Sequence, residues 1–169
     1  SGIMSYVYKT MHSPVGELKL IASDIGLVAI LWENDDPQRV RLGTMKEDKN
    51  HPIILETEQQ LSDYFAGKLT TFSVSLHFVG TDFQKQVWAA LLTIPFGEIR
   101  SYAQIAEQIQ NPKALRAVGA ANGKNPISII TPCHRVIGSN GKLTGFAGGL
   151  TAKAYLLNLE SSSFSLKVA

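Results

Sequence analysis

Polar and apolar residues alternate in Glu17-Leu18-Lys19-Leu20, as they do in a strand with one buried face. On that pattern Tyr6 to Met11, Glu17 to Ala22 and Leu27 to Trp32 read as three strands. Pro14-Val15-Gly16 and Ser23-Asp24-Ile25-Gly26 supply turn residues, so an antiparallel meander is expected. Glu33 to Pro37 and Lys46 to Pro52 read as charged connections flanking a short helix. Ile54, Leu61 and Phe65 recur at helical spacing, with Gly67 as a stop. Phe72 to Phe78 returns to alternation and fits either a strand or a linker. This half offers no catalytic cluster, and scaffold is the reading.

From Thr81 the spacing becomes helical. Thr81-Asp82-Phe83-Gln84 is a capping box opening a helix with Phe83, Val87, Ala90 and Leu91 on one face. Ile94-Pro95-Phe96-Gly97 ends it. Ser101-Tyr102-Ala103-Gln104 is a second capping box, with Ile105, Ala106 and Ile109 as the buried stripe. Asn111-Pro112 reads as an N-cap with proline at the first position of a third helix reaching about Asn122. Two short helices joined by a tight turn make a helix-turn-helix pattern. The third helix is rich in alanine and glycine, with Arg116 the long charged side chain in its middle. Small residues allow close packing on a neighbouring helix, or entry into the DNA minor groove, about 6 Å wide against about 12 Å for the major groove. Ile127 to Thr131 reads as a short buried strand or extended segment. Gly138 to Gly141 is a turn, and Thr144 to Gly149 a glycine-rich loop. A phosphate cradle is the rival reading of that loop, but no strand–loop–helix nucleotide fingerprint accompanies it. Thr151 to Glu160 is a last helix, with a loose serine-rich tail expected after it.

Charge divides the chain at the point where the pattern changes. Residues 1–79 carry 7 Lys or Arg against 10 Asp or Glu; residues 80–169 carry 9 against 4. The expected units are 4–79 and 80–169, with a polyanionic partner meeting the second. No apolar run approaches the roughly 20 residues of a membrane span. Nothing at the N-terminus resembles a secretory signal, and Ser1-Gly2-Ile3 before Met4 reads as a cloning remnant. One cysteine excludes an internal disulfide and fits a reducing, cytoplasmic setting. With four scattered histidines there is no metal-ligand spacing, so no metal and no cofactor are expected.

That cysteine is the most informative residue in the chain. Cys133 is followed at once by His134, behind Pro132 and an apolar run. A thiolate is a strong nucleophile, and a free thiol with a pKa of roughly 8.5 needs a nearby base to reach that form near neutrality. A nucleophile beside an imidazole is the minimum of a covalent catalytic pair.

Pro132-Cys133-His134-Arg135-Val136, Ile94-Pro95-Phe96-Gly97, Ser101-Tyr102, Asn111-Pro112-Lys113-Ala114, Arg116-Ala117-Val118-Gly119 and Asn125-Pro126 together resemble the O6-alkylguanine-DNA alkyltransferases. The resemblance covers about Phe83 to Glu160 and is loose before that. It implies an α+β protein: a small N-terminal αβ domain with an antiparallel three-stranded, ribonuclease H-like sheet, then a mainly helical domain with a helix-turn-helix. It also implies one irreversible transfer per molecule, from O6-alkylguanine (O4-alkylthymine being a second candidate lesion) in flipped-out DNA to the protein's own cysteine. Cys133 would be the alkyl acceptor, His134 the base acting through a water, and Glu160 the residue orienting that imidazole. Asn125 would tie the helix-turn-helix to the active-site segment, and Tyr102 would donate to the departing base. Arg116 would fill the vacated stack, with Ala114, Ala117, Ala121 and Arg135 also towards DNA. Val136, Phe146, Ala147 and Gly148 would line the base pocket, with Lys153 a pocket or phosphate contact. The implied partner is double-stranded DNA met by a monomer. Phe146 stands where tyrosine is usual, Ala147 where many relatives have serine, and Ala154-Tyr155 replaces a charged residue and tryptophan. The rival readings are a non-catalytic lesion binder, against which Cys133 argues, a cysteine hydrolase, and a helix-turn-helix regulator whose third helix has too few base-reading side chains.

Overall fold

The computed structural model describes residues 5–138, 140–141 and 145–168, with side chains as far as Ser161. Ser139 and Thr144, assigned above to the turn and the glycine loop, lie outside the described residues, as do the first four residues. The chain divides into two compact units, up to Val79 and from Gly80 onwards.

In the first unit β1 (Tyr6–Met11), β2 (Leu18–Ala22) and β3 (Leu27–Trp32) form the expected antiparallel meander. The sheet gains a fourth strand, β4 (Met45–Glu47), parallel to β1 at the edge, giving the order β3-β2-β1-β4. The charged connection therefore contains a strand, and no helix precedes it. Tyr6, Ile21, Val28 and Ala29 pack together with Leu42 and Met45 against them, which explains why β3 is apolar along nearly its whole length. Helix α1 (Pro52–Phe65) buries Ile54, Thr57, Leu61 and Tyr64; Phe65, assigned to the buried stripe above, is only half-buried. Phe72 to Phe78 forms a single bridge, Leu76 to Leu27, not a strand.

The second unit opens with α2 (Asp82–Leu91), whose capping box between Thr81 and Gln84 has both bonds. Its anchor is Trp88, absent from the predicted face, whose indole N–H donates to the Ala121 carbonyl at 2.9 Å. Phe83 is only half-buried. A two-residue strand β5 (Arg100–Ser101) leads into α3 (Tyr102–Gln108), capped by Ser101 and Gln104. Helix α4 (Leu115–Gly123) completes the helix-turn-helix but starts later than expected. Asn111-Pro112 closes a β-turn, Ala114 N–H to the Asn111 carbonyl at 3.0 Å, in place of capping the helix. Cys133–Arg135 is a 3-10 turn, followed by β6 (Val136–Ile137), which pairs in parallel with β5. Helix α5 runs from Leu150 to Val168, so the segment expected to be a loose tail has a helical backbone.

Candidate active site

Residues 127–131 look like a strand because they are apolar and partly β-branched, yet beyond a single bridge at Ile127 they form no strand. The backbone turns on itself instead. Thr131 N–H reaches the Ile127 carbonyl (3.0 Å), Ile130 N–H the Ser128 carbonyl (2.9 Å) and Cys133 N–H the Thr131 carbonyl (2.8 Å). The middle bond closes a γ-turn on Ile129, which has φ 76°, a conformation a β-branched residue adopts only under constraint. Asn125 supplies that constraint. Fully buried, it accepts from Ile127 N–H at 3.0 Å and donates to the Thr131 carbonyl at 2.9 Å. Asn125 follows Lys124, the C-cap of α4, so one amide joins the end of that helix to the turn carrying Cys133.

The ladder between β5 and β6 performs a second alignment. Arg100 pairs with Val136 and Ser101 with Ile137, which sets Tyr102, the first residue of α3, beside the strand leaving the cysteine turn. Tyr102 is half-buried.

The cysteine turn is buried throughout, and Cys133 is 4% exposed. Behind it stands a polar cluster. Imidazole Nε2 of His134 lies 2.8 Å from Glu160 Oε2. Burial pushes the Glu160 carboxyl up, but bonds from His134 and Arg135 outweigh it and hold the pKa down at about 2. The ionised carboxylate can only accept, so Nε2 carries the proton and Nδ1 is the bare acceptor. Nδ1 is buried and has no hydrogen-bond partner. Burial lowers the pKa of His134 from its usual 6.5, against the pull of Glu160, so the ring is a neutral base.

Two assignments are corrected here. Arg135, placed towards DNA above, is 6% exposed. Its Nε and Nη2 hold the two oxygens of Glu160 at 2.9 and 3.0 Å, and Nη1 donates to the Ile94 carbonyl at 2.6 Å. A planar guanidinium matches a carboxylate in two-point fashion, and Glu160 is the one acidic residue after Glu107, which was the signal available in the sequence. Lys153 is fully buried on α5, which removes it as a phosphate contact. Its Nζ donates to the Val136 carbonyl at 2.8 Å and lies 5.9 Å from the centre of the Phe146 ring. Burial lowers its pKa, and the charge of Cys133 pulls it back up. The Val136 carbonyl, expected to line the base pocket, is thus already engaged by Lys153; Phe146, Ala147 and Gly148 are half-buried in the loop before α5.

The outer face of α4 carries exposed Arg116, Ala117 and Ala120, while Val118, Ala121 and Asn122 face inwards. Ala121 is therefore not a surface residue, and Ala114 is the half-buried residue before the helix. Leu115, overlooked in the alanine-rich reading, is exposed at the start of that face. Gly119 has nothing within 4 Å of where a Cβ would sit, so packing within the chain does not require a glycine there.

A nucleophile, a neutral base with an open nitrogen and a carboxylate orienting that base form the general arrangement of a covalent transferase or hydrolase. Comparison with known proteins chooses between them. Residues 82–162 match the 6-O-methylguanine DNA methyltransferase DNA-binding domain, and residues 6–78 the ribonuclease-like domain of the same family. The methylated-DNA–protein-cysteine methyltransferase of Methanosarcina mazei is 49% identical over 92% of this chain and 98% of its own. That of Mycobacterium tuberculosis is 50% identical over 92% of each. The crystal structure of Mycobacterium tuberculosis OGT in complex with DNA is similar with a TM-score of 0.85, at 48% identity over 94% of each chain. The chain belongs to the 6-O-methylguanine DNA methyltransferase family, and DNA is its partner. Among the described residues no helix is long and apolar enough to cross a membrane, and no cluster of His, Cys, Asp or Glu could hold a metal.

Proposed function

We propose that this chain repairs DNA by moving the alkyl group of a flipped-out O6-alkylguanine onto Sγ of Cys133, once per molecule. The observation that carries the reading is His134 with Nε2 held by Glu160 and Nδ1 buried and open, next in sequence to the only cysteine. The thiol proton passes to Nδ1 through a water, an S–C bond forms and the C–O6 bond breaks. Guanine leaves with developing negative charge that the Tyr102 hydroxyl neutralises by donating to it. The Lys153 ammonium lies near enough to feel the charge of Cys133, and a cation beside a thiol favours the thiolate. Leaving the base stack costs a few kcal/mol, and a side chain that fills the gap lowers it. Exposed Arg116 takes that role, on a helix face whose small residues suit the minor groove. Asn125 couples this face to the cysteine turn. The first unit acts as scaffold, and the protein works as a cytoplasmic monomer on duplex DNA.

Intact mass after incubation with a duplex containing O6-methylguanine tests this. One methyl gained per chain, mapped to Cys133 and absent from Cys133→Ala, is the expected result. Tight binding without mass gain would mean a lesion binder, and turnover beyond one equivalent a hydrolase.

A further inference from the structure

Glu160 is shared. One oxygen, Oε2, accepts from His134 at 2.8 Å and from Arg135 Nη2 at 3.0 Å; the other, Oε1, accepts from Arg135 Nε at 2.9 Å. The remaining arm of the guanidinium is fixed to the Ile94 carbonyl, at the end of the segment after α2, and Cζ lies 5.8 Å from the centre of the Phe96 ring. From these contacts we infer that Arg135 is a positioning residue for the transfer reaction, holding Glu160 in the orientation that keeps His134 Nε2 bonded and leaves Nδ1 as the base, and setting the charge the imidazole experiences. The inference rests on the transfer reading above.

The chemistry follows from the count of charges around the ring. His134 feels Glu160 and Lys153 from α5 and Arg135 from its own turn. A buried carboxylate this close, left alone, favours the imidazolium and would protonate the base from solvent before any thiol reached it. Burial is the larger reason the ring stays neutral; Arg135 adds to it by opposing part of the Glu160 charge without removing the hydrogen bond, so Glu160 can still orient the ring. It also grips both oxygens, so the carboxylate cannot rotate to serve His134 alone. A guanidinium is suited to both tasks, because it keeps its proton at any working pH and its fork fits the carboxylate.

Two variants separate positioning from charge, each read as the single-turnover rate of methyl transfer to Cys133 across pH 5 to 9. Arg135→Lys keeps the charge but cannot span Glu160 and Ile94 together. Its rate should fall roughly tenfold, since small displacements of a catalytic group cost that much or more, with the acid limb of the profile unmoved. Arg135→Gln removes the charge, and its acid limb should move up by about one pH unit. A merely structural arginine would change the amount of folded protein and leave both the limb and the rate per folded molecule alone. Arg135→Lys at the native rate overturns the positioning role even if Arg135→Gln does not fold. An unmoved limb in folded Arg135→Gln overturns the charge role. The unaltered protein is the control: if it gains no methyl, the transfer reading has failed and not this one.

Discussion

The two units bury polar groups in opposite ways. Among the described residues of the first, the buried polar side chains are Ser23 and Thr57, whose hydroxyls donate to the nearby carbonyls of Gly26 and Ile53. The second buries Asn122, Asn125, Ser128, Thr131, His134, Arg135, Lys153 and Glu160, four of them ionisable. Buried charge costs stability unless it is paired, and paired charge seldom does better than a well-packed apolar core. A domain that keeps such a cluster keeps it for chemistry. The first unit resembles a protein optimised to stay folded, and the second one that accepts strain, as at Ile129, to hold a reactive site.

If that contrast is right, equal losses of stability should have unequal effects on activity. Leu20→Ala empties a fully buried position in β2 and should cost about 3 kcal/mol. Asn125→Ala strands the Ile127 amide and takes one of two donors from the Thr131 carbonyl, which keeps Cys133 N–H, and should cost a similar amount, about 3 kcal/mol. Urea denaturation measures both. The rate of methyl transfer, taken under conditions where each variant is folded, should be unchanged in the first and fall at least roughly tenfold in the second. A slowed Leu20→Ala would end the description of the first unit as scaffold.

Acid should find the second unit before the first. The lowered pKa of His134 means the unfolded chain takes up a proton near 6.5 that the folded ring refuses, so stability falls as pH drops below about 6.5. Glu160, held at about 2, contributes stability that is fully present above its ordinary value near 4.5 and is lost as pH falls towards 2. Glu160 alone corresponds to something on the order of 3 kcal/mol. Hydrogen exchange followed between pH 7 and 4 should show protection lost around residues 125–137 while β1 to β3 remain protected. Simultaneous loss in both units would show that the buried cluster does not set acid sensitivity.

Much of this arrangement was legible in the sequence, and what was not has physical causes. The meander and both capping boxes follow from local rules, because alternation and cap chemistry are decided within four or five residues. Ile127 to Thr131 reads as a strand or extended segment because Ile127, Ile129 and Ile130 carry strand propensity, whereas the contact that folds it into turns comes from the Asn125 side chain. Arg135 towards DNA, and Lys153 in its phosphate-contact reading, do not hold because both cations are buried, whereas long cations are usually solvated. Their burial depends on Glu160 and on the Val136 carbonyl, at separations of 25 and 17 residues that no local pattern encodes. The strand β4 is three residues long and carries Lys46 and Glu47, too short and too charged to register as alternation.

Gly119 gives the contrast within a single helix. Its Cβ direction is open, so Gly119→Ala should stabilise α4 by about 1 kcal/mol through helix propensity. If the face approaches a minor groove, the same methyl should weaken binding to duplex DNA several-fold. Calorimetric melting and fluorescence anisotropy measure the two. A more stable protein with unaltered affinity would remove Gly119 from the DNA interface.

The smallest effect is also the cleanest comparison between the units. Helices α1 and α3 end in the same pair of bonds. After α1, Gly67 N–H reaches the Tyr64 carbonyl and Lys68 N–H that of Asp63; after α3, Gln110 N–H reaches Glu107 and Asn111 N–H reaches Ala106. Both ends need a left-handed residue at the position after the cap, with φ 78° at Gly67 and 63° at Gln110. Glycine takes that conformation freely, while a side chain with a Cβ costs roughly 1 kcal/mol there. Gln110→Gly should therefore stabilise the second unit by about 0.5–1 kcal/mol, the relief being partly offset by the freer unfolded chain. Gly67→Gln should destabilise the first by a comparable amount. Opposite shifts of similar size in urea midpoints would assign both to the backbone alone. A Gln110→Gly variant with no gain would mean that the glutamine side chain itself holds the turn between α3 and α4, and that strain in this unit extends from the cysteine turn into the helix-turn-helix.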